Sequence, residues 1–282
     1  TRRTFSPQGA VWAARAAIAG GLDATSNVLA AIKLGRKPSG TMAHALVMAI
    51  SAIEGTERDA FSAFYRYFPG AALLIDTYDT VEAARKLADM AKGGEIDVKG
   101  IRLDSGDLVK LSKETRSLLP EATIFVSGDI DEWEIVRLKE AGAEIDGYGI
   151  GTKLVTGSPV NGVYKLVEID GIPVMKEASG KITYPGRKQI LRYFEDGKMR
   201  GDCLKLLEEE IEVNGESSNL LELVMRDGKV LKKAESLEAI ARRTATSVAS
   251  LPPETRCWEN PNLPPMEISR QLQELTEKTR KS

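Results

Sequence analysis

The chain has 282 residues, 42% hydrophobic and 28% charged, a globular mixture that excludes disordered, collagen-like and low-complexity classes. Lys+Arg 39 against Asp+Glu 41 gives a net charge of −2, which argues against a protein bound to the nucleic-acid backbone and leaves open a small anion held by local positive charge. Cys203 and Cys257 form neither a disulfide framework nor a zinc site, no apolar run approaches the ~18 residues of a membrane span, and the expected compartment is a reducing cytoplasm.

Small residues from Ala10 onward predict a tightly packed helix that ends at Gly20-Gly21, and residues 22–27 read as a strand-to-loop step. Residues 27–34 are helical up to Gly35, and the turn Pro38-Ser39-Gly40-Thr41 leads into an apolar helix over residues 43–53. Residues 71–75 form a continuous apolar run closed by Asp76, the pattern of a buried parallel strand. The same order then repeats: helix 80–91, strand 98–103, helix 108–119, strand 123–126, helix 132–141 and strand 145–148. Strand, polar loop and helix at a spacing of about 25 residues predict βα units and a parallel sheet. An α/β barrel with its site at the carboxyl ends of the strands is favoured, with a doubly wound sheet as runner-up. Residues 1–155 are the predicted barrel core carrying the site. Residues 156–282 would complete the barrel and add an antiparallel β-rich and helical module. Hairpins are expected at Asp170-Gly171 and Asp196-Gly197, a helix over residues 236–248 and a final polar helix.

His44 is the sole histidine, so metal sites built from several histidines are excluded. It falls at a helix start, where free N–H groups favour an anion; a core or capping histidine is the competing reading. Arg102 and Asp104, at i and i+2, share a strand face. Arg102 can clamp a carboxylate or phosphate, and Asp104 can bind ribose hydroxyls or a hydrated Mg²⁺; a structural ion pair is the alternative. Asp76 and Asp129 end neighbouring strands in the same way. Gly149-Ile150-Gly151-Thr152 allows close backbone approach to a phosphate or, alternatively, is a turn that needs positive φ. It is not a G-x-G-x-x-G fingerprint, because Leu154 occupies the third glycine position. Arg2 and Arg3 are either an anion contact or a solvated terminus.

Arg2-Arg3, Ser39-Gly40-Thr41-Met42-Ala43-His44-Ala45, Arg102-Leu103-Asp104-Ser105-Gly106-Asp107 and Ser127-Gly128-Asp129 stand in one order with residues 20–27, 75–79, 149–154, 162–167 and 181–188. In that combination the chain resembles the nicotinate phosphoribosyltransferase family over most of its length. The resemblance implies a type II phosphoribosyltransferase fold: an incomplete (β/α) barrel with an antiparallel β-rich module and C-terminal helices, working as a homodimer with composite active sites. It implies formation of nicotinate mononucleotide and pyrophosphate from nicotinate and phosphoribosyl pyrophosphate, with ATP hydrolysis, in NAD biosynthesis. Mg²⁺ would accompany the phosphoribosyl pyrophosphate, with no metal site of the protein's own. By the same resemblance His44 matches the family's phosphorylated histidine, and Thr41 and Arg102 match nicotinate contacts. Arg2 matches an arginine near the phosphates and ring. Asp76 and Asp104 match carboxylates facing the ribose, where they would favour oxocarbenium-like charge. Gly128, Asp129, Gly151 and Thr152 match phosphoribosyl binding. Asp23 matches a position that meets the carboxamide in nicotinamide-using relatives, and its charge would repel a carboxylate, so it is left out of the expected site. The family's N-terminal segment, with the tyrosine that stacks on the pyridine ring from the partner subunit, has no counterpart before Thr1. The expectation is therefore a fragment with little turnover of its own. The alternatives are a nicotinamide- or quinolinate-using enzyme and a non-catalytic ligand-binding barrel.

Overall fold

The computed structural model describes residues 3–178 and 181–281, so the expected role of Arg2 lies outside the described residues. The chain divides into two compact units, residues 1–18 with 22–158, and residues 19–21 with 159–282.

The first unit runs α1 (Pro7–Ala19), α2 (Val28–Lys33), α3 (His44–Glu54), α4 (Glu57–Tyr67), β1 (Leu73–Leu74), α5 (Thr80–Lys92), β2 (Gly100–Leu103), α6 (Leu108–Leu118), β3 (Thr123–Val126), α7 (Glu132–Glu140), β4 (Gly147–Tyr148) and α8 (Thr152–Val155). The four strands pair in parallel in the order β1-β2-β3-β4. A sequential order without reversal is the wall of a barrel, whereas a doubly wound sheet needs a point where the order switches. The fold is thus the incomplete α/β barrel. Ile101, Leu103, Ile124 and Val126 are fully buried and face α5 and its neighbours, whose Ala83, Ala84, Leu87 and Ala88 recur at helical spacing on one stripe.

The first three βα connections each carry two carboxylates with separate duties. Asp79, Asp107 and Asp131 are N-caps, accepting from the backbone N–H of Glu82, Lys110 and Glu134 at 2.8, 3.1 and 2.9 Å. The earlier aspartates, Asp76, Asp104 and Asp129, are left free for other work. At the amino ends of the strands Arg116 donates to the carbonyls of Pro120 and Ala122 and to Asp146, which accepts from Ile124 N at 2.7 Å.

Two sequence expectations fail in this unit. Residues 22–27 form no strand; the Asn27 side chain instead caps α2, accepting from Ala30 N at 2.9 Å. Helix α4 was not anticipated, although Ala60, Phe61, Phe64 and Tyr65 recur at helical spacing on the face that packs on the core. A second readable signal is the stop at Gly55 (φ +110) followed by the Thr56 N-cap.

The second unit contains β5 (Glu168–Ile169), β6 (Ile172–Pro173), β7 (Glu177–Ala178), β8 (Lys181–Ile182), β9 (Lys188–Glu195), β10 (Lys198–Leu206), β11 (Glu216–Asn219), β12 (Met225–Arg226), β13 (Lys229–Val230), α9 (Leu237–Ser250), β14 (Met266–Ile268) and α10 (Arg270–Lys281). Asp170-Gly171 and Asp196-Gly197 turn hairpins as expected, and Asp227-Gly228 turns a third. In all three both residues have positive φ, which matches the twist of the flanking strands. The larger sheet has the order β11-β9-β10-β14. It is not wholly antiparallel as expected, since β14 lies parallel to β10. Gly201 permits that pairing, because a Cβ there would stand 2.9 Å from the Pro265 carbonyl oxygen. Among the described residues no helix is long and apolar enough to cross a membrane.

Candidate active site

The register of the barrel strands builds the site. Leu74, Arg102, Phe125 and Gly147 align across β1 to β4. Because faces alternate with period two, Asp76, Asp104, Ser127 and Gly149 form the next row on the same face, at the carboxyl ends. Phe125 lies against the glycines of this face: a Cβ at Gly147 or Gly149 would come within 2.8 or 2.9 Å of its ring.

Arg102 sits at the centre. Its Nε donates to Ser127 Oγ at 2.7 Å, Nη1 to Thr41 Oγ1 at 2.8 Å and the Met42 carbonyl at 3.5 Å, and Nη2 to Asp104 Oδ1 at 2.5 Å. A guanidinium has five N–H groups. These four bonds leave one Nη2 N–H for an incoming ligand, too few for a bidentate clamp without displacing a protein partner. Burial raises the Asp104 carboxyl, but hydrogen bonds from Ser127 and Arg102 and the charges of Arg102 and His44 outweigh it and hold the group below the usual carboxylate range.

Asp76 is more enclosed, its side chain 2% exposed. Its Oδ2 accepts from Asp104 N and Ser105 Oγ, both at 2.8 Å, while Oδ1 is buried without a hydrogen-bond partner. His44 Nε2 lies 3.8 Å from that oxygen and 3.8 Å from Asp104 Oδ2. The other ring nitrogen, Nδ1, is 3.1 Å from Thr77 Oγ1. His44 opens α3, whose N-cap Ala43 makes no side-chain cap bond, and its side chain is 38% exposed. The uncapped helix start favours an anion beside the ring.

The structure therefore brings Thr41, His44, Asp76, Arg102 and Asp104 together. Gly128 joins them through the backbone, in a left-handed conformation (φ +90) packed against the Asp104 carbonyl. Asp129 is exposed, with φ +49. Gly151 and Thr152 begin α8, and among the described residues no hydrogen bond joins them to the cluster. Neither Gly149 nor Gly151 has positive φ, which removes the turn reading of that loop. Gly149 is required by Phe125, whereas a Cβ at Gly151 would meet nothing within 4 Å. Thr77, Ser105 and Ser127 belong to the cluster and were not singled out in the sequence. Ser127 was open to discovery, since it ends β3 in phase with Arg102 and Asp104.

Residues 1–190 match the model of the nicotinate phosphoribosyltransferase (NAPRTase) family. The chain belongs to this family. Residues 214–276 match the nicotinate phosphoribosyltransferase C-terminal domain. A nicotinate phosphoribosyltransferase of Mycobacterium tuberculosis is 39% identical over 270 residues, covering 92% of this chain and 57% of its own length. One from Bacillus subtilis is 42% identical over 233 residues, covering 75% of this chain and 46% of its own. The chain thus spans about half the length of these two relatives. The crystal structure of human nicotinic acid phosphoribosyltransferase matches with a TM-score of 0.79 at 27% identity, over 98% of this chain and 68% of that one. Every residue of the His44 cluster falls inside the segment matched by the nicotinate phosphoribosyltransferase family model.

Proposed function

We propose that this protein transfers the phosphoribosyl group of phosphoribosyl pyrophosphate to nicotinate, in NAD biosynthesis. The pyridine nitrogen's lone pair forms the bond to the anomeric carbon, the bond from that carbon to the diphosphate oxygen breaks, and pyrophosphate leaves with the electron pair. The observation that carries the reading is the single constellation of Arg102, Asp104, Asp76 and His44 at the carboxyl ends of β1 and β2, in a chain of this family. Asp76 and Asp104 supply fixed negative charge for the cationic carbon of the transition state. Arg102 offers its remaining N–H to the nicotinate carboxylate, beside Thr41, and its charge favours a carboxylate over the neutral carboxamide of nicotinamide. Gly128, Asp129, Gly151 and Thr152 would receive the phosphoribosyl phosphate.

His44 is the proposed acceptor of the γ-phosphoryl group of ATP. A ring nitrogen bonds to phosphorus, ADP departs, and water later returns phosphate and free histidine. Support comes from its exposure and from the uncapped start of α3. Among the described residues no group of three His, Cys, Asp or Glu side chains could hold a metal ion. The donor set fits a hydrated Mg²⁺ carried by the diphosphate, near Asp76 and Asp104, where it would neutralise leaving-group charge. A homodimer is part of the proposal, supported by the exposed apolar side chains Val28, Leu29 and Ile32 on α2. A reducing cytoplasm suits the two free cysteines.

The test combines two assays. Nicotinate mononucleotide should form from nicotinate and phosphoribosyl pyrophosphate in preference to nicotinamide or quinolinate products. Acid-labile phosphate from ATP should label the protein and vanish in His44→Ala. Faster turnover of nicotinamide or quinolinate, or label that survives His44→Ala, overturns the assignment.

A further inference from the structure

We propose that Ser127 is the positioning residue of this site, one hydroxyl holding the Arg102 guanidinium and the Asp104 carboxylate in a single arrangement. Its effect on turnover rests on the phosphoribosyl-transfer reading above. The geometry of the bridge does not.

The roles follow from donor and acceptor chemistry. Arg102 can only donate and an ionised Asp104 can only accept, so the Ser127 hydroxyl, with one proton and two lone pairs, must accept from Nε and donate to Oδ1. Arg102 Nη2 also donates to Asp104 Oδ1, which closes a three-membered ring of hydrogen bonds. The serine is itself fixed. It is 9% exposed, and its N–H donates to the Leu103 carbonyl at 2.8 Å, which prolongs the β2–β3 ladder by one bond. A Cβ at Gly149 would lie 3.1 Å from the Ser127 Cβ, so that glycine leaves room for the serine. Without the hydroxyl, the Nε–H of a half-buried guanidinium loses its acceptor and Asp104 loses a donor. The N–H that Arg102 has left for a ligand is then no longer held in place.

Ser127→Val and Ser127→Thr have the same shape and differ in the hydroxyl, so comparing them separates the bridge from packing. Losing a hydrogen bond to a charged group should raise the nicotinate KM about tenfold in Ser127→Val, with kcat changed by less than about threefold, while Ser127→Thr stays within about twofold of the parent. Amide-type NMR of the Arg102 Nε–H, assigned through Arg102→Lys, gives a readout independent of turnover. Exchange with water should be slow in the parent protein and Ser127→Thr and fast in Ser127→Val. Equal KM values and equal exchange rates in the two variants overturn the proposal. If the parent protein turns over no pyridine substrate, the phosphoribosyl-transfer reading fails, and the exchange rates alone decide the role of Ser127.

Discussion

Gly128→Ala tests whether the loop after β3 is pressed onto the site as tightly as the geometry indicates. At φ +90 an L-residue is strained by about 1–2 kcal/mol. The added Cβ would sit 2.1 Å from the Asp104 carbonyl oxygen and 3.2 Å from its carbon, where a carbon–oxygen contact needs about 3.3 Å, so one backbone must yield by about 1 Å. Overpacking of this kind costs about 1–3 kcal/mol, for a total of about 2–5 kcal/mol. Gly197→Ala is the control: it has a similar backbone (φ +70) at a hairpin turn, and its Cβ would meet nothing within 4 Å. The difference in urea midpoint between the two variants, at equal m, isolates the steric part. The Asp104 peptide also donates to Asp76 Oδ2, so the same displacement should lower kcat/KM by about a hundredfold. If Gly128→Ala is no less stable than Gly197→Ala and retains parental kcat/KM, the close approach to Asp104 is wrong.

Three further outcomes follow from the charges. Asp104 is held below the ordinary carboxylate value, so its stabilisation is complete above about pH 4 and lost as pH falls through its folded pKa; Asp104→Asn should flatten the acid limb of a melting-temperature profile. Glu57 has the opposite sign. Burial raises its carboxyl, only partly offset by Lys86, and its Oε1 is buried without a partner. Its protonated form is therefore favoured on folding, and that benefit is lost as pH rises through the folded value. Glu57→Gln should stabilise the protein at pH 7 by up to about 1 kcal/mol and make no difference at pH 4, as read by denaturant titration at both pH values. Arg116→Met strips donors from the Pro120 and Ala122 carbonyls and from Asp146, and should cost about 2–3 kcal/mol in urea unfolding. Because that latch lies at the amino ends of the strands, the nicotinate KM should not move.

The βα units and the hairpins of this chain were legible because their signals are local. Apolar runs end in aspartate, helices follow at regular spacing, and Asp-Gly pairs favour hairpins without help from the rest of the molecule. The division of labour within each aspartate pair was not legible. Asp76 and Asp79 differ only in which one meets the α5 N–H groups and which one meets Asp104, and that depends on the neighbouring strand. Gly149 read as a phosphate-loop glycine, yet it makes room for Phe125, a side chain 24 residues earlier. Strand β14 carries a weak pattern of its own and acquires its place only by pairing with β10.

The sequence by itself determined the parallel α/β layout, the hairpin turns and the short set of residues able to do the chemistry, since residue type and spacing set backbone preference and face. Tertiary structure decided which of those residues meet. Thr41 and Arg102 stand 61 positions apart and His44 and Asp76 stand 32 apart, and only the placement of the loop and start of α3 at the carboxyl ends of β1 and β2 brings their side chains within hydrogen-bonding or ion-pairing reach. The register of β2 and β3 placed Ser127 beside Arg102 and Asp104, where its hydroxyl accepts from one and donates to the other.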